Sequence, residues 1–159
     1  MARKVFFSFH YSDILLVSQI RNSWRVRPGS ETQPFHDRAE WEKVKRESPG
    51  TIKNWIDSQL RGSSVTVVLV GKDTSTRPWV KYEIEASIDQ KKGIVFIDLD
   101  GMKTTQGYSY SSGSSPANWT LNRTGRALSS YYRAYNWVRD NGYQNMQQWV
   151  ETAFNATKP

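Results

Sequence analysis

Short apolar runs recur along the chain and predict buried β-strands. The clearest are residues 4–9 (KVFFSF), 64–70 (SVTVVLV) and 94–99 (IVFIDL), each with at most one charged residue. Runs of this length, rich in β-branched and aromatic residues, are typical of strands that a parallel sheet buries on both faces. Residues 32–37, which include a proline, predict at best a short edge strand, and residues 130–138 predict a last strand.

Apolar residues at helical spacing fill the segments between the strands. The predicted helices span residues 14–24, 49–60, 78–91 and 143–154. Ser12 or Asp13 is placed to cap the first helix. A proline stands in the first turn of the second and third helices, where it costs no hydrogen bond. We expect Gly93 to end the third helix.

Strand, helix and strand follow one another with a short glycine link, which is the βαβ pattern of a parallel sheet. The sequence therefore predicts one α/β domain over residues 1–159, with its core in residues 3–100. A polar stretch rich in serine and glycine follows at 101–128, and we expect it to be a mobile insertion loop. The last strand and the C-terminal helix lie in residues 129–156.

The amino-acid composition excludes several kinds of protein and of chemistry. The absence of cysteine excludes disulfides and thiolate catalysis and fits a reducing, cytoplasmic setting. No apolar run approaches the roughly 18 residues of a membrane span, and the first residues lack the apolar segment of a signal peptide. We therefore expect a soluble protein inside the cell that has no membrane partner.

The net charge of +7 would suit a partner that carries phosphate groups. The basic residues are scattered, with the densest groups at 21–27 and 43–46, and no nucleic-acid-binding motif accompanies them. An ordinary basic surface is the favoured interpretation, and a phosphate-containing small molecule is the main alternative. Nucleic acid is disfavoured as a partner.

Several catalytic motifs are missing from the chain, among them the P-loop, the G-x-G-x-x-G fingerprint and the G-x-S-x-G elbow. Two histidines without any cysteine are too few ligands for a structural zinc ion, and we predict no metal site. In an open parallel sheet, ligands bind beyond the carboxyl ends of the strands. Those ends lie at residues 9–11, Asp37, 71–74 and 98–100.

Two acidic residues on the helix after the third strand are not equivalent. The core face of this helix is marked by Val80, Ile84 and Ile88. Glu83 flanks that face on the side of Trp79, whereas Glu85 flanks the other side with Lys81 and Lys92, as in a solvated, ion-paired surface. Glu83 is therefore the candidate for chemistry. On these residues alone, an acid that stabilises a helix N-terminus through the helix dipole is the competing interpretation.

Four segments in order resemble a TIR domain, and more closely the TIR-like ThsB subfamily of bacterial Thoeris antiphage proteins. The segments are KVFFSFHYSD, FHDRAEWEKVK, SVTVVLVGKDT and RPWVKYEIEASIDQKKGIVFIDL. The resemblance covers residues 3–100 and extends through SSYYRAYNWVRDNGYQNMQQWV at 129–150. Each motif alone is moderately specific, and the four in this order are a strong signal.

The resemblance implies a flavodoxin-like fold with a parallel sheet of about five strands, and NAD as the substrate without a further cofactor. TIR enzymes cleave the bond between nicotinamide and ribose, and ThsB-like members make a cyclic ADP-ribose-type signal. That signal activates a separate effector protein during phage infection. The resemblance also implies self-association, a possible phage-derived trigger and a bacterial cytoplasmic location.

The resemblance assigns roles to particular residues. The W-x-x-x-E pattern that carries the catalytic glutamate corresponds to Trp79 and Glu83. Phe9, His10 and Tyr11 are implied to form a pocket wall. Asp37 and Trp79 are implied to lie near nicotinamide or its ribose.

Each of these substrate-binding residues has a structural alternative. Phe9 and Trp79 suit the core, His10 suits a surface position, and Asp37 suits a helix N-cap. For the whole chain, the alternative is a non-catalytic TIR scaffold that acts by binding other TIR domains. Glu83 after Trp79 favours the enzyme, because a scaffold needs no acid there.

Overall fold

A five-stranded parallel sheet lies at the centre of the computed structural model, which describes residues 3–25, 30–32 and 47–159. In chain order the strands are β1 (Arg3–Ser8), β2 (Ser30–Thr32), β3 (Val65–Val70), β4 (Gly93–Asp98), β5 (Thr120–Leu121), β6 (Arg126–Ala127) and β7 (Ala134–Asn136). The order across the sheet is β2-β1-β3-β4-β7, and β5 pairs with β6 separately. The predicted α/β fold with about five parallel strands is confirmed.

Four helices cover the sheet in the described part of the chain. They are α1 (Ile14–Arg25), α2 (Pro49–Arg61), α3 (Pro78–Asp89) and α4 (Gly142–Asn155). α1 and α4 bury their apolar side chains against one face of the sheet, around Trp24 and Trp149. α2 and α3 cover the opposite face, around Ile56 and Ile84. Strand residues alternate between the two cores because successive side chains point to opposite faces. None of these helices is long and apolar enough to cross a bilayer.

The register of the parallel strands aligns their carboxyl ends side by side. Phe7 of β1 lies opposite Val67 of β3, and Val67 lies opposite Val95 of β4. All six residues of β3 are buried, as expected for the central strand of a parallel sheet. Strand order reverses between β1 and β3, and open parallel sheets bind their ligands beyond the carboxyl ends of two such strands.

Two boundary predictions are wrong. Gly93 does not end α3 but begins β4, where a Cβ would lie 2.6 Å from the backbone oxygen of Ala153 in α4. Its glycine is needed for that close approach of helix to strand. The predicted strand at 130–138 shrinks to β7, because a 3-10 helix occupies Leu128–Ser130 and turns the chain before it can pair with β4.

The segment predicted to be an insertion loop contains two hairpins. Residues 101–110 form a hairpin closed by the Lys103–Ser109 bridge and by a hydrogen bond from the backbone N–H of Tyr110 to the carbonyl of Met102. Gly107 supplies the positive φ that the turn requires. Farther along, β5 and β6 form a second, antiparallel hairpin.

Some predictions fall outside the described residues. These are most of the proposed strand at 32–37 with Asp37, the basic group at 43–46, and part of the basic group at 21–27. The observed β2 ends at Thr32. The expected capping of α1 by Asp13 is wrong, because that carboxyl is buried and accepts a hydrogen bond from Tyr110 instead.

Candidate active site

Glu83 lies in the second turn of α3, on the side that faces the sheet. α3 follows β3 through a short 3-10 helix at Thr74–Thr76, so its first turns stand near the carboxyl end of that strand. The predicted core face of α3 is confirmed by the burial of Val80, Ile84 and Ile88. Glu83 is 6% exposed, although glutamate side chains are almost never fully buried unless they are paired.

Ser8 links the Glu83 carboxyl group to the sheet through a hydrogen bond. Ser8 is the last residue of β1, and its Oγ donates a hydrogen bond to Glu83 Oε1 at 2.9 Å. Ser8 was not among the site residues predicted from the sequence. A signal was available, because Ser8 is the one hydroxyl residue in the run at 4–9. The bond places the Glu83 carboxyl group at the carboxyl end of β1, where the strand order reverses.

Burial raises the pKa of Glu83 from 4.5 to about 8, and the Ser8 hydrogen bond opposes that rise. The shift follows from desolvation, which disfavours the charged form of an acid. A carboxyl group in this state ionises most readily when a positive charge approaches it. Strongly perturbed acids beside a ligand crevice are typical of active sites.

Ser8→Ala is expected to destabilise the protein at pH 9, above the folded pKa of Glu83, by about 1–3 kcal/mol, because the buried Glu83 carboxylate loses a donor. For a domain of this size each kcal/mol lowers the melting temperature by roughly 2–4 °C. Thermal unfolding measures the effect. Ser58→Ala is the matched control, since Ser58 is exposed and bonds within its own helix. Equal melting temperatures for the two variants would show that the Ser8–Glu83 bond contributes nothing.

The residues that follow β1 lie at the carboxyl end of that strand, and their role as a pocket wall stays a prediction. Phe9, His10 and Tyr11 are all half-buried. The rings of Phe9 and Tyr11 are 5.8 Å apart between centroids, and Phe9 also packs against the core. His10 Nδ1 lies 2.5 Å from Ser12 Oγ. This aromatic segment continues the strand that ends at Ser8, so it lies at the carboxyl end of β1.

Trp79 occupies a different environment from Glu83. Its half-buried ring packs toward α2 beside the cluster around Ile56, and it meets the Tyr82 ring edge to face at 6.0 Å. It also lines a shallow cavity of about 260 Å³ together with Lys53. The role of Trp79 near nicotinamide stays a prediction, as does that of Asp37, which lies outside the described residues.

Glu85 has the solvated environment that its helix position predicts. It is exposed and lies 4.0 Å from Lys81 Nζ across one helical turn. Lys92 does not share this surface, contrary to expectation, because its Nζ donates to the Ser63 carbonyl at 2.7 Å and its burial lowers its pKa. Two acids two residues apart therefore have opposite environments, and Glu83 alone is placed for chemistry.

A second buried carboxyl group belongs to Asp13, just before α1. It accepts a hydrogen bond from the Tyr110 hydroxyl at 2.5 Å, and burial raises its pKa. The two residues are 97 positions apart. No local pattern in the sequence signals such a pair, so sequence reasoning did not find it.

Comparisons with known proteins agree with this fold. Residues 6–104 match the model of the family described as Thoeris protein ThsB, TIR-like domain. A relative in Bacillus cereus (strain MSX-D12), named "Putative cyclic ADP-D-ribose synthase ThsB1", is 31% identical over 191 residues, which cover 94% of this chain and all of the relative. The solved TIR domain of the Toll-related receptor TRR-2 from Hydra magnipapillata superposes with a TM-score of 0.51 at 13% identity, covering 94% of this chain and 96% of that one.

The parallel sheet and its solved neighbour show that the chain has an α/β fold like that of a TIR domain. The structural likeness, at 13% identity, shows the fold alone. The match over 6–104 and the 31% identical relative go further. The chain belongs to the Thoeris ThsB family of TIR-like proteins.

Proposed function

We propose that this protein cleaves NAD between nicotinamide and ribose and converts the ADP-ribose part into a cyclic signalling nucleotide. The observation that carries the proposal is the buried Glu83 carboxyl, held by Ser8 at the carboxyl end of β1, where strand order reverses. The name of the Bacillus cereus relative, a cyclic ADP-D-ribose synthase, supports the same activity.

The chemistry requires one carboxylate in a site of low polarity. Nicotinamide leaves NAD as a neutral molecule, and positive charge grows on the ribose in an oxocarbenium-like transition state. A poorly solvated carboxylate interacts more favourably with the positive charge of the transition state than with the substrate in its ground state. Glu83, whose burial raises its pKa, fits this role and can also accept a hydrogen bond from a ribose hydroxyl. NAD is the substrate, and we propose no further cofactor.

The other predicted contacts make up the rest of the proposed substrate-binding site. Phe9, His10 and Tyr11 border the crevice and supply aromatic surface for a flat ring. Asp37 and Trp79 complete the proposed substrate-binding set. The net charge of +7 suits a substrate that carries a pyrophosphate.

The signal acts on a separate effector protein in the bacterial cytoplasm during phage infection. We propose that the chain self-associates to complete its site and that a phage-derived cue triggers this step. Neither nucleic acid nor a membrane is a partner in this scheme.

Incubation of the purified protein with NAD tests the proposal, with and without lysate of phage-infected cells. We expect nicotinamide and a cyclic ADP-ribose-type nucleotide, separated by chromatography and identified by mass. Lysate without the protein is the control. If NAD stays intact under both conditions, the chain is not an NAD-cleaving enzyme, and a scaffold that binds other TIR domains explains the family membership better.

A further inference from the structure

Tyr110 joins the insertion to both strands that border the crevice. Its hydroxyl donates a hydrogen bond to Asp13 Oδ1 at 2.5 Å and accepts one from the backbone N–H of Lys72 at 2.7 Å. Asp13 follows β1, and Lys72 follows β3. One phenol group therefore bridges the two strand ends between which the sheet order reverses.

The Asp13 carboxyl is enclosed around this bond. It is 4% exposed, and its second oxygen has no hydrogen-bond partner among the described residues. A Cβ on Gly71 would lie 1.9 Å from that oxygen, so the carboxyl packs directly on the Gly71 backbone. Since a buried acid is strongly destabilised when it lacks donors, the Tyr110 hydrogen bond is hard to replace.

Further contacts hold the rest of the insertion on the same edge. The backbone N–H of Gly113 donates to the carbonyl of Gly71 at 3.2 Å, and Ser114 Oγ lies 2.9 Å from Ser75 Oγ. A Cβ on Gly113 would lie 2.2 Å from the carbonyl oxygen of Lys72. Residues 110–114 therefore lie flat across the chain that leaves β3.

This edge is the one at which Ser8 holds Glu83. Ser8 ends β1, and Asp13 follows it by one short 3-10 helix at Tyr11–Asp13. The insertion contacts the Asp13 side of β1, while Glu83 approaches from α3 on the opposite face of the sheet. The insertion and Glu83 thus lie at the same end of the sheet, the carboxyl end of β1 and β3, where open parallel sheets bind their ligands.

We propose that Tyr110 is a positioning residue: it fastens residues 101–115 across the carboxyl ends of β1 and β3 and thereby limits the access of water to the reacting ribose. The second half of this inference rests on the proposed function. The first half, the fastening itself, does not depend on it.

Water access decides the product of the reaction. In cyclisation, a hydroxyl oxygen of the same molecule forms a bond to the ribose carbon and loses its proton, while nicotinamide leaves with the electrons of its bond. In hydrolysis, a water oxygen forms that bond and the product is linear ADP-ribose. Either reaction releases one proton. A loosened insertion admits water and raises the share of linear product, because the reactive ribose meets the competing nucleophile more often.

Tyr110→Phe keeps the ring and removes both hydrogen bonds. Tyr108→Phe is the matched control, since Tyr108 lies in the same hairpin and is 73% exposed. We expect amide hydrogen exchange at Gly113 to accelerate by about tenfold or more in Tyr110→Phe, the effect of losing a hydrogen bond to a charged group. We also expect a several-fold higher ratio of linear to cyclic product, with nicotinamide release largely kept. Gly113→Ala, which pushes the insertion off Lys72, is expected to shift the ratio in the same direction.

Each other outcome contradicts a definite part of the inference. If exchange at Gly113 in Tyr110→Phe equals that in Tyr108→Phe, Tyr110 does not fasten the insertion. If exchange accelerates while the product ratio stays at the wild-type value in both Tyr110→Phe and Gly113→Ala, the insertion does not shield the site. A wild-type protein that leaves NAD intact overturns the proposed function and the effect on product, while the exchange result still decides the fastening.

Discussion

Glu83→Gln is expected to lower nicotinamide release from NAD by about 10²–10³-fold, the usual loss when one charge-stabilising group is removed from an active site. Glutamine keeps the size of the side chain and its ability to accept the Ser8 hydrogen bond. It cannot carry the negative charge that offsets the growing positive charge on the ribose. Single-turnover and steady-state assays of nicotinamide release, with the triggering lysate present, measure the loss.

Glu85→Gln is the matched control for this variant. It makes the same chemical change two residues away, at an exposed side chain that lies beside Lys81. We expect its kcat and KM to stay close to the wild-type values. If both variants lose activity alike, the loss comes from the helix and not from the buried carboxyl. If Glu83→Gln keeps full activity, Glu83 is not the catalytic residue.

Glu83→Gln is also expected to stabilise the protein, and increasingly so as the pH rises from about 4.5 to about 8. In that interval the unfolded chain has released the Glu83 proton while the folded protein retains it. Because the folded state then binds more protons, the free energy of unfolding falls with increasing pH. The loss of stability is complete above the folded pKa. It amounts to a few kcal/mol, because each tenfold change in proton affinity corresponds to about 1.4 kcal/mol.

Thermal unfolding of the wild type and the variant at several pH values from 4 to 9 measures this effect. We expect similar melting temperatures near pH 4 and a variant that melts several degrees higher at pH 8 to 9. Glu85→Gln serves again as the control, since an exposed ion pair contributes little to stability. A difference between Glu83→Gln and wild type that is independent of pH would show that the Glu83 carboxyl does not titrate in this range.

Together the two experiments separate two properties of one side chain. In the wild type, the buried Glu83 carboxyl lowers the stability of the fold and supports the reaction. Both effects have the same origin, because a carboxyl removed from water is poorly stabilised until a cation reaches it. A variant that gains stability and loses activity is the expected result for a site whose function requires an arrangement that destabilises the fold.

The sequence predicted those features that depend on neighbours along the chain. The uncharged, β-branched run at 65–70 forms the central strand because nothing in its composition suits a solvated surface. The spacing of Val80, Ile84 and Ile88 sets the buried face of α3 and so separates Glu83 from Glu85. Predictions failed where local patterns compete with packing. Of the residues at 130–138, only Ala134–Asn136 form a strand, because a 3-10 helix at Leu128–Ser130 turns the chain before it reaches the edge of β4.

By itself, then, the sequence determined the three main strands, the helices and the choice of one glutamate over its neighbour, because buried strands follow from unbroken apolar runs and helix faces from a repeat of 3.6 residues. The tertiary structure alone decided what surrounds that glutamate. Ser8 is 75 positions from Glu83, and Tyr110 is 97 positions from Asp13, so these pairs exist only after the strands have paired. Burial by distant segments, and not the residue type, raises the pKa of Glu83 and encloses the carboxyl of Asp13.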